Sequence, residues 1–183
     1  AGDVMAADAQ KLGALHDPDE TILDQELARA IIPFSAKPGN VQELRVRLMD
    51  AMWDDVGVMR DAAGLKRGIE KIASLKSDME NVGVSGDNLA FNLSWHDWLS
   101  LQSLIDTSEV IAKAGLSREN SRGAHFREDF PDAGSLDDSY FTIATSGDKG
   151  IEVNREAVKF TIVKPGESLL GADEAETLVE AAQ

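Results

Sequence analysis

Leu65-Lys66-Arg67-Gly68-Ile69-Glu70-Lys71-Ile72-Ala73-Ser74-Leu75-Lys76-Ser77-Asp78-Met79 decides the fold class of this chain. Leu65, Ile69, Ile72, Leu75 and Met79 recur in steps of three and four, which puts them on one face of an α-helix. Lys66, Arg67, Glu70, Lys71, Lys76 and Asp78 fill the intervening positions and read as the solvated face. A stripe this narrow does not hold a helix together alone in water, so it needs partners. Upstream, Asn40 can cap a helix carrying Leu44, Leu48, Ala51, Met52 and Val56. Gly57 weakens that helix, and Asp61 offers a fresh cap for the one already described. Downstream, residues 82–88 contain Gly83, Ser85, Gly86 and Asp87 and read as a loop. A third long helix follows over residues 94–114, with Trp98, Leu101, Leu104, Ile105, Ser108 and Ile111 as its stripe and Gly115 as its terminator. Three long amphipathic helices with short connections specify a mainly α fold, an antiparallel three-helix bundle of spectrin-repeat-like outline. Trp53, Trp95 and Trp98 are the bulkiest candidates for its core or for a contact surface.

The flanks are different in character. Residues 1–15 are Ala-rich and read as a short helix or the tail of one. Asp17-Pro18-Asp19-Glu20 is a helix start, with Asp17 as cap and Pro18 at the first helical position. The helix it opens carries Ile22, Leu23, Leu27 and Ile31 until Pro33 stops it. Ser35-Ala36-Lys37-Pro38-Gly39 has the composition of a linker. After the bundle, Tyr140, Phe141, Thr142 and Ile143 have β composition, and Ser146-Gly147-Asp148-Lys149-Gly150 is a turn. Ile151-Glu152-Val153 follows it, and Val158, Phe160 and Ile162 alternate as in a half-buried strand. These segments predict a C-terminal β-hairpin, with room for a third strand. The resulting division is an N-terminal helical extension and linker (1–40), the bundle with a polar loop (41–132), the hairpin (133–165) and an acidic tail (166–183).

Composition narrows the function classes. The chain has 183 residues, enough to bury a core without covalent staples. Its formal charge of -15 disfavours nucleic acid and anionic lipid as partners. Cysteine is absent, which removes disulfides, thiolate nucleophiles and cysteine-ligated metal centres. No apolar run reaches the roughly 20 residues of a membrane span, so direct membrane insertion is not expected.

Sequence motifs for catalysis are sparse. There is no G-x-G-x-x-G after a strand, no Walker-type run and no G-x-S-x-G elbow. His16, His96 and His125 lie far apart without i, i+4 partners, so no metal site is expected. Asp54-Asp55 and Asp137-Asp138 are adjacent pairs, whose side chains diverge by about 100° on a helix, and they read as solvated surface charge. One polar cluster stands out: Arg118-Glu119-Asn120-Ser121-Arg122-Gly123-Ala124-His125-Phe126-Arg127-Glu128-Asp129-Phe130-Pro131. The planar forks of Arg122 and Arg127 suit carboxylates or carbonyls. Gly123 permits an unusual backbone angle, and Asp129 can orient Arg127 or His125. Two readings stand side by side: a self-satisfied ion-pair knot tying the bundle to the hairpin, or a surface completing an anion or cofactor site.

Ser121-Arg122-Gly123-Ala124-His125-Phe126-Arg127-Glu128-Asp129-Phe130-Pro131 resembles the S-R-G-A-H-x-R-x-D-x-P stretch of succinate dehydrogenase and fumarate reductase flavoproteins. Met52-Trp53 and Gly57-Val58-Met59-Arg60 resemble that family's L-x-x-x-M-W-x-x-x-G-V-x-R helix, and Asn92-Leu93 resembles the start of its last long bundle helix. The resemblance spans residues 41–163 and includes the closing strands; Ala1-Gly2 with the Ala-rich helix after it resembles the end of the family's FAD domain, and residues 17–40 read as an insertion. It implies the C-terminal helical domain of an FAD-dependent oxidoreductase that interconverts succinate and fumarate. FAD would then sit in the parent's preceding domain, with no cofactor, catalytic residue or turnover expected in this chain alone. Arg122, Gly123, His125, Arg127 and Asp129 carry over as a structural and docking motif, and Trp53, Trp95 and Trp98 become candidate partner contacts. The implied partners are the parent's FAD and capping domains and an iron–sulfur subunit. The implied location is cytoplasmic, or peripheral on the cytoplasmic face of a membrane through partner subunits. The same domain of an L-aspartate oxidase and a stand-alone acidic protein-binding module are the other readings.

Overall fold

The computed structural model describes residues 2–14, 17, 19–147 and 150–168. Helices α1 (Gly2–Leu12) and α2 (Glu20–Ile31) form an N-terminal arm, and a 3₁₀ turn, Ile32–Phe34, carries the buried Pro33. The bundle is α3 (Val41–Val56), α4 (Ala62–Glu80) and α5 (Leu93–Ser117). Strands β1 (Met59–Arg60) and β2 (Phe126–Arg127) pair in parallel; β3 (Tyr140–Gly147) and β4 (Gly150–Ala157) form the antiparallel hairpin. Asn40, Asp61 and Asn92 cap α3, α4 and α5 by accepting from Glu43 N, Gly64 N and Trp95 N.

Cross-helix contacts fix the direction of each helix. Arg47 near the start of α3 meets Asp78 near the end of α4, while Asp55 at the end of α3 meets Arg67 and Lys71 early in α4. Trp98 early in α5 donates to Val82 O just past α4 at 2.8 Å, so α4 and α5 also run opposite ways. The three helices enclose Leu44, Leu48, Val56, Leu65, Ile72, Leu75, Met79, Trp98, Leu101, Ile105 and Ala112. Each fully buried Leu or Ile there contributes about 1.5–3 kcal/mol.

Several expectations are corrected. Asp19, not Asp17, caps α2 by accepting from Thr21 N at 2.9 Å. Gly115 is not a terminator: it lies buried inside α5, which runs on to Ser117. The buried face of α5 is Trp98, Leu101, Ile105, Ser108, Ala112 and Gly115, in strict steps of three and four. Leu104 and Ile111 flank that face and stay 44% and 42% exposed. Asp55 is no solvated charge; it is buried and held by Arg67 Nε at 3.1 Å and Lys71 Nζ at 2.6 Å. Trp98 is core, so it leaves the set of exposed contacts. Residues 158–163 do not form a strand. The hairpin register ends at Tyr140↔Ala157, and Val158 N adds one last bond to Ser139 O at 2.9 Å before partners run out. The supposed linker is bound: Gly83 N donates to Lys37 O and Gly39 N to Gly83 O. Leu15, His16, Pro18, Asp148, Lys149 and tail residues 169–183 lie outside the described residues.

Candidate functional site

The Arg/His loop begins where α5 stops. Arg118 leaves the helix in an extended conformation, and the chain then reverses through a tight turn. Arg122 N donates to His125 O at 2.9 Å and His125 N to Arg122 O at 3.1 Å, with Gly123 at φ 59° between them. That positive φ is the backbone freedom glycine supplies. The chain next enters β2, which lies beside β1 in the elbow joining α3 to α4, and Glu128 N donates to Arg60 O at 2.8 Å.

Arg127 is the centre of the loop and is 1% exposed. Its Nη1 donates to Gly115 O at 3.0 Å, Leu116 O at 3.1 Å and Arg118 O at 3.0 Å. Helix C-termini leave carbonyls unpaired and carry partial negative charge, so this guanidinium finishes α5 both by bonding and by charge. The other side of the fork grips Asp129, Nε to Oδ1 and Nη2 to Oδ2, both at 2.7 Å. Asp129 Oδ2 in turn accepts from Ala62 N at 3.0 Å, an orphan donor at the positive end of α4. The hydrogen-bonded Arg127 guanidinium, assisted by that N–H, holds the Asp129 carboxyl down at about 2. The pair thus joins the end of α5 to the start of α4 with complementary charges.

Arg122 binds the segment that leads into the hairpin. Its guanidinium donates to Ala133 O, Ser135 O and, at 2.9 Å, Ser139 Oγ. Arg118 and Arg155 both lie over the Tyr140 ring, at 5.6 and 4.6 Å from its centroid. His125 Nδ1 lies 2.9 Å from Arg60 Nη1, and its Nε2 faces Arg118 O at 3.3 Å. Burial lowers the His125 pKa against the hydrogen bond to Arg118 O, which raises it, and the charges of Arg60, Arg118 and Arg127 add to the lowering.

The structure therefore brings Arg122, Gly123, His125, Arg127 and Asp129 together, and the Arg122 and Arg127 forks point at carbonyls, Ser139 and Asp129. Of the readings left open by spacing, this is the geometry of the knot. Arg60 and Ser121 are participants that the spacing did not reveal. Ser121 Oγ accepts from Arg127 N at 2.9 Å. Arg60 lay within the quoted Gly57-Val58-Met59-Arg60 stretch, but a distant Arg gives no sign of its partner until the chain folds.

The tryptophans separate. Trp53 is 83% exposed on the outer face of α3. Trp95 is half-buried, donates from Nε1 to Ala30 O at 2.7 Å and meets Phe34 edge-on, so it pins the arm to the bundle. A cleft of about 740 Å³ lies apart from the loop, between α4, α5 and the hairpin, and Lys76, Glu80, Asp106 and Glu109 are among its lining residues.

Residues 45–169 match the family described as fumarate reductase flavoprotein C-terminal. The fumarate reductase flavoprotein subunit of Haemophilus influenzae is 30% identical over 132 residues, covering 72% of this chain and 22% of that protein. The succinate dehydrogenase flavoprotein subunit of Rickettsia bellii is 31% identical over 129 residues, covering 69% of this chain and 22% of that protein. Among solved structures, the apo Mycobacterium smegmatis Sdh1 complex superposes with a TM-score of 0.69 at 27% identity, over 90% of this chain and 29% of that one. A quinol-fumarate reductase with menaquinol molecules shares the fold with a TM-score of 0.73 at 22% identity, over 85% and 28%. The matched part of the chain thus covers less than a quarter of the length of either of these curated relatives.

Proposed function

The chain belongs to the fumarate reductase flavoprotein C-terminal family, and on that premise we propose that it braces the flavin-bearing part of a succinate dehydrogenase or fumarate reductase flavoprotein and docks its partners. The observation that carries this reading is the Arg127–Asp129 fork, which locks the ends of two bundle helices into one rigid body and presents no reacting group. A rigid body is what a domain needs to hold a neighbour in place.

In this reading FAD is held by the rest of the parent polypeptide. The Arg122 and Arg127 guanidiniums are engaged by carbonyls, Ser139 and Asp129, and the cation lining the cleft between α4, α5 and the hairpin, Lys76, is paired with Asp106 and Glu109 beside Glu80, a poor match for a pyrophosphate. Hydride transfer between dicarboxylate and flavin is accordingly assigned to the rest of the parent polypeptide, and no step of it is derived from these side chains. Among the described residues no helix is long and apolar enough to cross a membrane, so attachment to a membrane runs through partner subunits in this reading.

Trp53 is the best-placed anchor for an iron–sulfur subunit, because it is large, amphipathic and exposed. In the full-length flavoprotein, Trp53→Ala should leave thermal stability and flavin content unchanged and weaken capture of the iron–sulfur subunit at least about tenfold. Unaltered capture would remove Trp53 from the interface.

A further inference from the structure

The geometry points to His125 as an acid-released latch: the neutral ring holds the Arg/His loop to the elbow between α3 and α4, and protonation frees that loop locally while the Arg127–Asp129 fork still anchors the bundle. A guanidinium only donates, so His125 Nδ1, 2.9 Å from Arg60 Nη1, must offer a lone pair. The ring proton is then on Nε2, directed at Arg118 O 3.3 Å away. A second proton would have to go on Nδ1, where it would face the Arg60 N–H. The hydrogen bond would become a clash of two donors and two cations. Arg60 cannot turn aside freely, since its Nε is held by Val56 O at 3.0 Å and Gly57 O at 2.7 Å.

The charges around the ring are arranged to the same end. Arg60 acts on it from β1, Arg118 from the end of α5 and Arg127 from β2. Arg155 of β4 lies beyond Arg118, across the Tyr140 ring. The nearby acids are committed elsewhere: Asp129 to Arg127 and Ala62 N, and Asp61 to Gly64 N as the cap of α4, while Glu119 acts on Arg127. Among the described residues no carboxylate is placed to welcome an imidazolium. The lowered His125 pKa agrees with this arrangement.

The sign of the linkage follows. In the released loop the ring titrates near its ordinary value of about 6.5. In the latched loop it titrates lower, so the released state binds more protons. The latch is at full strength above about pH 6.5, and release becomes about tenfold more frequent per pH unit below that, until the latched ring itself protonates. Asp129, which stays charged down to about 2, keeps its fork throughout this window. Opening therefore affects the Arg122–His125 turn and the Glu128 N to Arg60 O bond, and leaves the helices alone.

The test is amide hydrogen exchange of this chain between pH 4.5 and 7.5, corrected for intrinsic exchange rates. Protection at His125 and Glu128 should fall about tenfold per pH unit below about pH 6.5, while Leu65 and Ile105 in the core stay constant. His125→Asn keeps an acceptor for Arg60 but does not titrate, and should abolish the fall. Protection independent of pH, a fall shared by the core, or the same fall in His125→Asn would each overturn the latch. Should that variant not fold, the imidazole ¹⁵N spectrum of the unsubstituted chain decides. A proton on Nε2 with titration below 6.5 supports the latch, and a proton on Nδ1 overturns it.

Discussion

Arg127 does two jobs with one planar group. It finishes α5 by donating to three carbonyls, and it anchors the carboxylate that starts α4. Lys, with a single ammonium, cannot reproduce both. The consequence can be measured at Asp129. Its carboxyl titrates at about 2 in the folded chain and near its ordinary 3.8 when unfolded. A depressed carboxylate stabilises the fold in full above about pH 4, and that contribution is lost as pH falls toward 2. Asp129→Asn should cost about 1.5–3 kcal/mol at pH 7, the scale of hydrogen bonds to charged groups, and should flatten this acid limb. Chemical denaturation at pH 2.5 and pH 7 checks it; equal losses at both would show that the carboxylate charge is not what matters.

Among the elements, the loop at Gly83 shows how little room the arm has. A Cβ at Gly83 would run into Ala36 O and stand 2.7 Å from Pro33 O, backbone atoms that cannot swing aside. Gly83→Ala should therefore cost about 1–3 kcal/mol, read as a lower midpoint in guanidinium unfolding, and a change within about 0.5 kcal/mol would contradict the contact. This contact was not legible beforehand, because Ser35-Ala36-Lys37-Pro38-Gly39 has linker composition and only the folded chain shows its carbonyls meeting Gly83. The bundle itself was legible, since steps of three and four along α4 are a local property of the sequence. Local rules were weaker at element ends. Gly115 looked like a stop signal, yet α5 is ended by Arg127, reaching back from 12 residues away. Residues 158–163 alternate like a strand, but a strand needs a neighbour, and β3 begins too late to supply one. The loop residues were recognisable as a group from their sequence motif; their partners Arg60 and Ala62 were not, because pairing across 65 and 67 residues leaves no local trace.

For the molecule as a whole, the bundle is tied at both ends. Trp95 and Gly83 fasten the arm at one end, and Arg127, Asp129 and Arg122 fasten the hairpin and the helix termini at the other. What remains outward is acidic surface and exposed apolar side chains such as Trp53, Met59 and Leu27. In the proposed role inside a larger flavoprotein, neighbouring domains or subunits would cover some of these side chains. The most direct test is the intact mass and visible spectrum of the native protein captured from its source with an antibody to this chain. A yellow polypeptide of roughly three times this chain's mass is expected, the size of its curated relatives. A colourless protein near 19.7 kDa would contradict the reading.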